Sequence, residues 1–239
     1  MKVMHATLIA ATALIVAGCQ GRMSEPGITA SHDGEIRFMR EYGNALAPLG
    51  YVSFCQREPG ECASPASGVA RAARVTRVAM TPERWLALNK VNTIVNRSVR
   101  PATDEEVYAQ PEHWALPLGA GDCEDYVLQK RKLLLAEGWP ASALLITVVR
   151  DEDRLGHAVL TVASDMGDLV LDNKSDLIRP WADTGYVYYK RQSRSDPQRW
   201  VALTPNAQSG SALAALETLR TTRAPGNALS ARDPAIPPH

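Results

Sequence analysis

The sequence predicts an α+β domain, with helices first and an antiparallel sheet after them. Helical-period apolar patterns occupy Thr81–Asn96 and Asp122–Gly138, whereas after residue 143 the pattern changes to β-rich runs. The first three of those runs are joined by links too short for a crossover, which makes them neighbours in an antiparallel meander.

Residues 1–18 are expected to lie outside the fold. Lys2 precedes an apolar run, Leu8 to Val16, that has the length of a signal-peptide core and is short for a bilayer span. Val16-Ala17-Gly18-Cys19 then resembles a bacterial lipobox, in which the peptide is cut before the cysteine and the cysteine carries the lipid. An ordinary secretory signal cut near the same small residues would instead leave Cys19 an incidental thiol. Gln20 stands where an aspartate would resemble an inner-membrane retention signal, so a periplasmic, outer-membrane-anchored lipoprotein is favoured. Residues 19–36, rich in Gly, Ser and charge, are read as lipid attachment and tether, and 37–203 as the domain. Residues 204–239 are read as a largely disordered tail that includes a short helix at Ala212–Thr221.

Export governs the reading of the remaining cysteines. Cys55 and Cys62 flank the turn-rich Gln56–Glu61, and an oxidising compartment permits a local disulfide between them, the other reading being two free thiols. Cys123 is then left over as a candidate reactive thiol. The 26 basic and 26 acidic residues balance, and no basic stripe with interleaved aromatics occurs, which argues against a nucleic-acid partner.

Each element has a local cause. Thr81-Pro82 is an N-cap hydroxyl followed by proline at the first helical position, and Trp85, Leu88, Val91, Ile94 and Val95 supply the stripe. Pro101–Asp104 is a break and Trp114–Gly121 a loop. Asp122 and Asp125 have the spacing of a capping box. Tyr126, Val127, the stem of Lys130, Leu133 and Leu134 face inward, and Gly138 and Pro140 stop the helix. Strands are expected at Leu144–Val149, His157–Val162, Leu169–Leu171 and Tyr186–Tyr189.

Three segments carry chemistry in order: Gly121-Asp122-Cys123-Glu124-Asp125-Tyr126, Gly156-His157-Ala158 and Leu171-Asp172-Asn173. A thiol at a helix start, an imidazole at a strand start and a carboxylate at a strand end are what a thiol nucleophile, its base and the base's orienter require. The helix terminus favours a thiolate at Cys123, but Asp122, Glu124 and Asp125 oppose it, and an imidazolium or a bound cation would compensate. Each residue also has an ordinary explanation: a core cysteine, a structural histidine, an Asp-Asn turn.

Together with Phe54-Cys55…Glu61-Cys62, Asn92…Asn96, Pro101-x-Thr103-Asp104, Trp114-x-x-Pro117, Trp181 and Gln192-Ser193, these motifs resemble the bacterial transglutaminase-like cysteine proteinases. Periplasmic peptidases that release biofilm adhesins belong to that group. The resemblance spans roughly residues 48–200 and implies a papain/transglutaminase-like fold, with the nucleophile helix packed on an antiparallel β-sheet. It further implies Cys123 as nucleophile, His157 as base then acid, and Asp172 as orienter. Calcium would be held at Asp122 and Glu124, with Asp125 a weaker ligand and more a structural residue. The backbone N–H of Cys123 is the first choice of oxyanion donor. The expected function is a lipid-anchored, calcium-dependent endopeptidase acting on an adhesin-like protein of the envelope, with a membrane-bound regulator as a further partner. The alternatives are a transamidase using the same triad and a non-catalytic binding module on the same fold. The group's adhesin-releasing members are soluble periplasmic proteins, and the predicted lipid anchor departs from them.

Overall fold

The computed structural model describes residues 37–62 and 77–205. The signal peptide, Cys19, the tether and most of the tail, including the helix expected at residues 212–221, lie outside the described residues. No helix among the described residues is long and apolar enough to cross a membrane.

In chain order the described elements begin with β1 (Asn44–Ala45), α1 (Leu49–Arg57) and α2 (Pro59–Cys62). Then come α3 (Pro82–Ser98), β2 (Arg100–Pro101), α4 (Asp104–Tyr108), β3 (Ala120–Gly121) and α5 (Cys123–Ala136). The strands β4 (Leu144–Arg150), β5 (Gly156–Ser164), β6 (Gly167–Asp172), β7 (Ser175–Pro180), β8 (Val187–Gln192) and β9 (Trp200–Ala202) follow among the described residues. Seven strands form one antiparallel sheet in the order β1-β9-β8-β4-β5-β6-β7, and β2 pairs with β3 in parallel. The meander β4-β5-β6 is the expected one. β8 does not extend it: it returns to the far side of β4, and β9 and β1 add the outer edge.

Helices α1, α3 and α5 cover one face of the sheet. Their apolar residues, among them Phe54, Leu88, Val95, Tyr126 and Leu134, pack with Leu144, Ile146, Leu160 and Leu171 of the strands. A smaller cluster, with Val149, Val159, Val170 and Tyr188, fills the other face. α3 starts as its sequence dictates, with the Thr81 hydroxyl accepting from the Arg84 N–H and proline in the first turn. Its stripe differs from the expected one. Trp85 and Ile94 are 37% and 48% exposed, and the inward positions are Leu88, Val91, Asn92 and Val95. Apolar periodicity could not reveal that a carboxamide takes an inward position.

The capping box also moves. Thr103 and Glu106 make the reciprocal pair at the start of α4. At α5 the Asp122 side chain makes no capping hydrogen bond, and Asp125 reaches back to the Ala115 N–H at 2.8 Å. Gly121 is required beside it, because a Cβ there would collide with the Asp125 carboxylate. Cys55 and Cys62 form a disulfide, so the two-free-thiol reading is excluded, and Cys123 is not disulfide-bonded.

Candidate active site

The meander register brings the imidazole and carboxylate together. Leu160 pairs with Leu171; His157 is three residues before the one and Asp172 one residue after the other. Both offsets are odd, so alternation puts the two side chains on one face. His157 Nε2 lies 2.9 Å from Asp172 Oδ1, with both residues buried. Asp172 is held on every side: its Oδ1 also accepts from the Lys174 N–H at 3.0 Å, and its Oδ2 accepts from the Tyr186 hydroxyl at 2.7 Å. The Tyr186 ring meets His157 edge-on, with centroids 5.8 Å apart.

Burial acts to raise the Asp172 pKa, but the His157 hydrogen bond and charge, the Lys174 N–H and the Tyr186 hydroxyl outweigh it and take the carboxyl down to about 2. The carboxylate is therefore ionised across the physiological range and able to stabilise an imidazolium. Pairing through Nε2 directs the other ring nitrogen away from Asp172, as a base serving a thiol needs. Burial followed by the Asp172 bond and charge raises the Tyr186 hydroxyl well above the usual phenol range, so it stays a donor.

Cys123 is the first residue of α5, and α5 packs on β5. α5 also contacts β4 and β6, the strands on either side of β5. The Cys123 thiol donates to Glu124 Oε2 at 3.0 Å, and Glu124 is fully buried.

The acidic groups gather into three overlapping sets whose candidate ligand atoms lie within 4.8 Å of one another: Asp122-Cys123-Glu124, Asp104-Asp122-Asp125 and Asp104-Glu112-Glu124. Asp122 and Glu124 thus share Asp104 as a neighbour, a residue that the sequence marks only as part of the break at Pro101–Asp104. Asp125 Oδ2 is buried without a hydrogen-bond partner. Burial, then the Glu124 and Asp104 charges, push the Asp125 pKa up to about 8 against the pull of the Ala115 N–H. Crowded, desolvated carboxylate oxygens of this kind fit a hard divalent cation.

Tyr186 was legible only as the start of a β-rich run; phenol chemistry at a strand entrance leaves no mark in hydropathy. Beside it a cavity of about 210 Å³ is lined by Asp151, Glu152, Asp172, Lys174, Thr184 and Tyr186, among others. The Lys174 ammonium pairs with the Asp151 carboxylate across it.

The sequence pattern of the family described as bacterial transglutaminase-like cysteine proteinase BTLCP matches residues 41–208. No curated protein sequence matches. Among solved structures, calcium-bound Legionella pneumophila LapG is similar at 26% identity over 53% of this chain and 72% of that one, with a TM-score of 0.44. Legionella pneumophila LapG in a second structure is similar at 25% identity over 57% and 78% of the respective chains, with a TM-score of 0.43.

Proposed function

The chain belongs to the bacterial transglutaminase-like cysteine proteinases and is a cysteine peptidase, and on that premise we propose that Cys123, His157 and Asp172 form its catalytic triad. Cys123 attacks the scissile carbonyl while His157 takes the thiol proton. The tetrahedral intermediate collapses to an acyl-enzyme as His157 returns that proton to the departing amine. Water, deprotonated by the same ring, then releases the acid and restores the thiol. Asp172 keeps the imidazole oriented and stabilises its charged form, and the Cys123 backbone N–H is the proposed oxyanion donor. The observation that carries this reading is the buried 2.9 Å contact between His157 Nε2 and Asp172 Oδ1.

The proposed substrate is an adhesin-like protein of the cell envelope. The enzyme is held there as a periplasmic lipoprotein through Cys19, and a membrane-bound regulator is a further partner. The proposed cofactor is calcium, with Asp122 and Glu124 as ligands and Asp104 and Asp125 offering further oxygens. The cation would neutralise the carboxylates beside the nucleophile and fix the loop that carries it.

Envelope proteins of cells carrying the parent chain, Cys123→Ala or no enzyme are compared for fragments, with a labelled primary amine present. Fragments made by the parent and lost with Cys123→Ala support the peptidase. Amine incorporation without cleavage would establish the transamidase instead, and an undiminished cellular role of Cys123→Ala would indicate a binding module. For calcium, thermal melts after chelation and add-back should show a rise of several degrees in the melting temperature. Glu124→Gln should abolish that rise; an equal rise in Glu124→Gln would remove this residue from the ligand set.

A further inference from the structure

The turn that follows Asp172 is gripped from behind by two carboxamides of α3. Asn96 Nδ2 donates to the Asp172 carbonyl at 2.9 Å, to the Ser175 carbonyl at 3.2 Å and to Asp176 Oδ1 at 3.0 Å. Asn92 Nδ2, one helical turn earlier, donates to the Ser175 and Asp176 carbonyls at 3.0 and 3.1 Å. Ser175 is the cross-strand partner of Asp172, and the β6–β7 register shifts between Val170 and Asp172. The ladder is irregular just before the residue whose carboxylate must be fixed, and the carbonyls of the closing Asp172–Ser175 pair each take a further donor from the helix.

Helix packing alone does not call for this arrangement. Asparagine is a poor helix former, and Asn92 is fully buried in the middle of α3. The orientation of both amides is set by what they face, since carbonyl oxygens accept only from Nδ2. The consequence is that Asn92 Oδ1 and Asn96 Oδ1 are buried without a hydrogen-bond partner, a cost an apolar residue would avoid. Four of these five contacts thus go to backbone carbonyls of the turn that begins at Asp172, and the fifth to the Asp176 carboxylate.

Resting on the triad reading, we propose that Asn92 and Asn96 are positioning residues for the reaction: the two amides hold the β6–β7 turn so that the Asp172 carboxylate stays in line with Nε2 of His157. A shift of this turn by a fraction of an ångström would lengthen the bond that orients the base, and misplacements of that order are costly for a catalytic group.

The test needs no substrate. In the full chain, the downfield proton resonance of the His157 Nε2–H bonded to Asp172 is recorded by NMR, together with its exchange with water, for the parent, Asn96→Ala, Asn96→Ser, Asn92→Ala, Asp172→Ala and Asn89→Ala. Asp172→Ala should lose the resonance; if it does not, the triad reading itself fails. Given that loss, Asn96→Ala and Asn96→Ser should move the signal upfield and speed its exchange on the order of tenfold. Asn89→Ala, whose amide bonds only its own helix at the Trp85 carbonyl, should leave it unchanged. Asn96 is only half-buried, so its variants keep the test valid should Asn92→Ala fail to fold. A lowered melting temperature in the Asn96 variants with the resonance and its exchange unmoved would overturn the proposal and leave both residues purely structural.

Discussion

The Asp172 carboxylate accepts three hydrogen bonds and its carbonyl accepts another from Asn96, and only one of these comes from the proposed base. Tyr186 is the donor whose removal is cleanest. Tyr186→Phe keeps the ring against His157 and deletes one hydroxyl, so turnover of a protein substrate should fall roughly tenfold with KM little changed, and stability should change by only about 1 kcal/mol. Steady-state kinetics beside a urea melt would check this; a raised KM with unchanged turnover would assign Tyr186 to substrate binding instead. At this scale the sequence was informative where chemistry needs rare residue types. Cys123 and His157 each stand out by scarcity, and Asp172 by its distance from His157 across a turn. Tyr186, Asn92, Asn96 and Asp104 carry side chains that occur everywhere, and their importance lies in what folding brings beside them.

Among the elements, α5 is the least ordinary. Glu124, Asp125, Lys130 and Arg131 are all buried in it. Lys130 Nζ has no hydrogen-bond partner and lies 6.0 Å from the Tyr126 ring centroid. Burial drives the Lys130 pKa down to about 7 against the raising effect of Asp172 and Asp176. Between pH 7 and the ordinary lysine value near 10.5 the unfolded amine holds a proton that the folded one has lost, so this group makes stability rise with pH there. Below pH 7 both states are charged and the burial cost is present in full. Lys130→Met should therefore stabilise the fold by roughly 1–3 kcal/mol at pH 6, and the gain should shrink as pH approaches 10. Denaturant melts across that range decide it, and a gain independent of pH would mean that the amine is not desolvated. Periodicity places the stem of Lys130 inward but carries no sign that its charged end is buried as well. Strands β4, β5 and β6 were legible because they are continuous apolar runs. β7 was not, since Ser-Asp-Leu-Ile-Arg-Pro is an edge strand with most residues exposed and no hydropathic period to mark it.

For the whole molecule, the disulfide closes the α1–α2 segment, and Cys62 is buried in the main core. The loop between the two cysteines is short, so reduction should cost only about 2 kcal/mol. Thermal melts with and without reductant should show a drop of several degrees. The His157–Asp172 contact, carried by the interior strands β5 and β6, should persist under reduction, as its NMR signature would report. A collapse of that signature would mean that the two regions unfold as one unit.

Asp168 is fully buried, and it gathers the Met39 N–H at 2.7 Å, Arg77 at 2.5 Å and Arg191 at 3.1 Å, while its own N–H donates to the Arg37 carbonyl at 2.8 Å. The first described residues are thereby bolted to β6, the strand that ends at Asp172. Asp168 stands four residues before the carboxylate proposed to orient the base, so the tie between the first described residues and the sheet is made on the very strand that would carry the orienter.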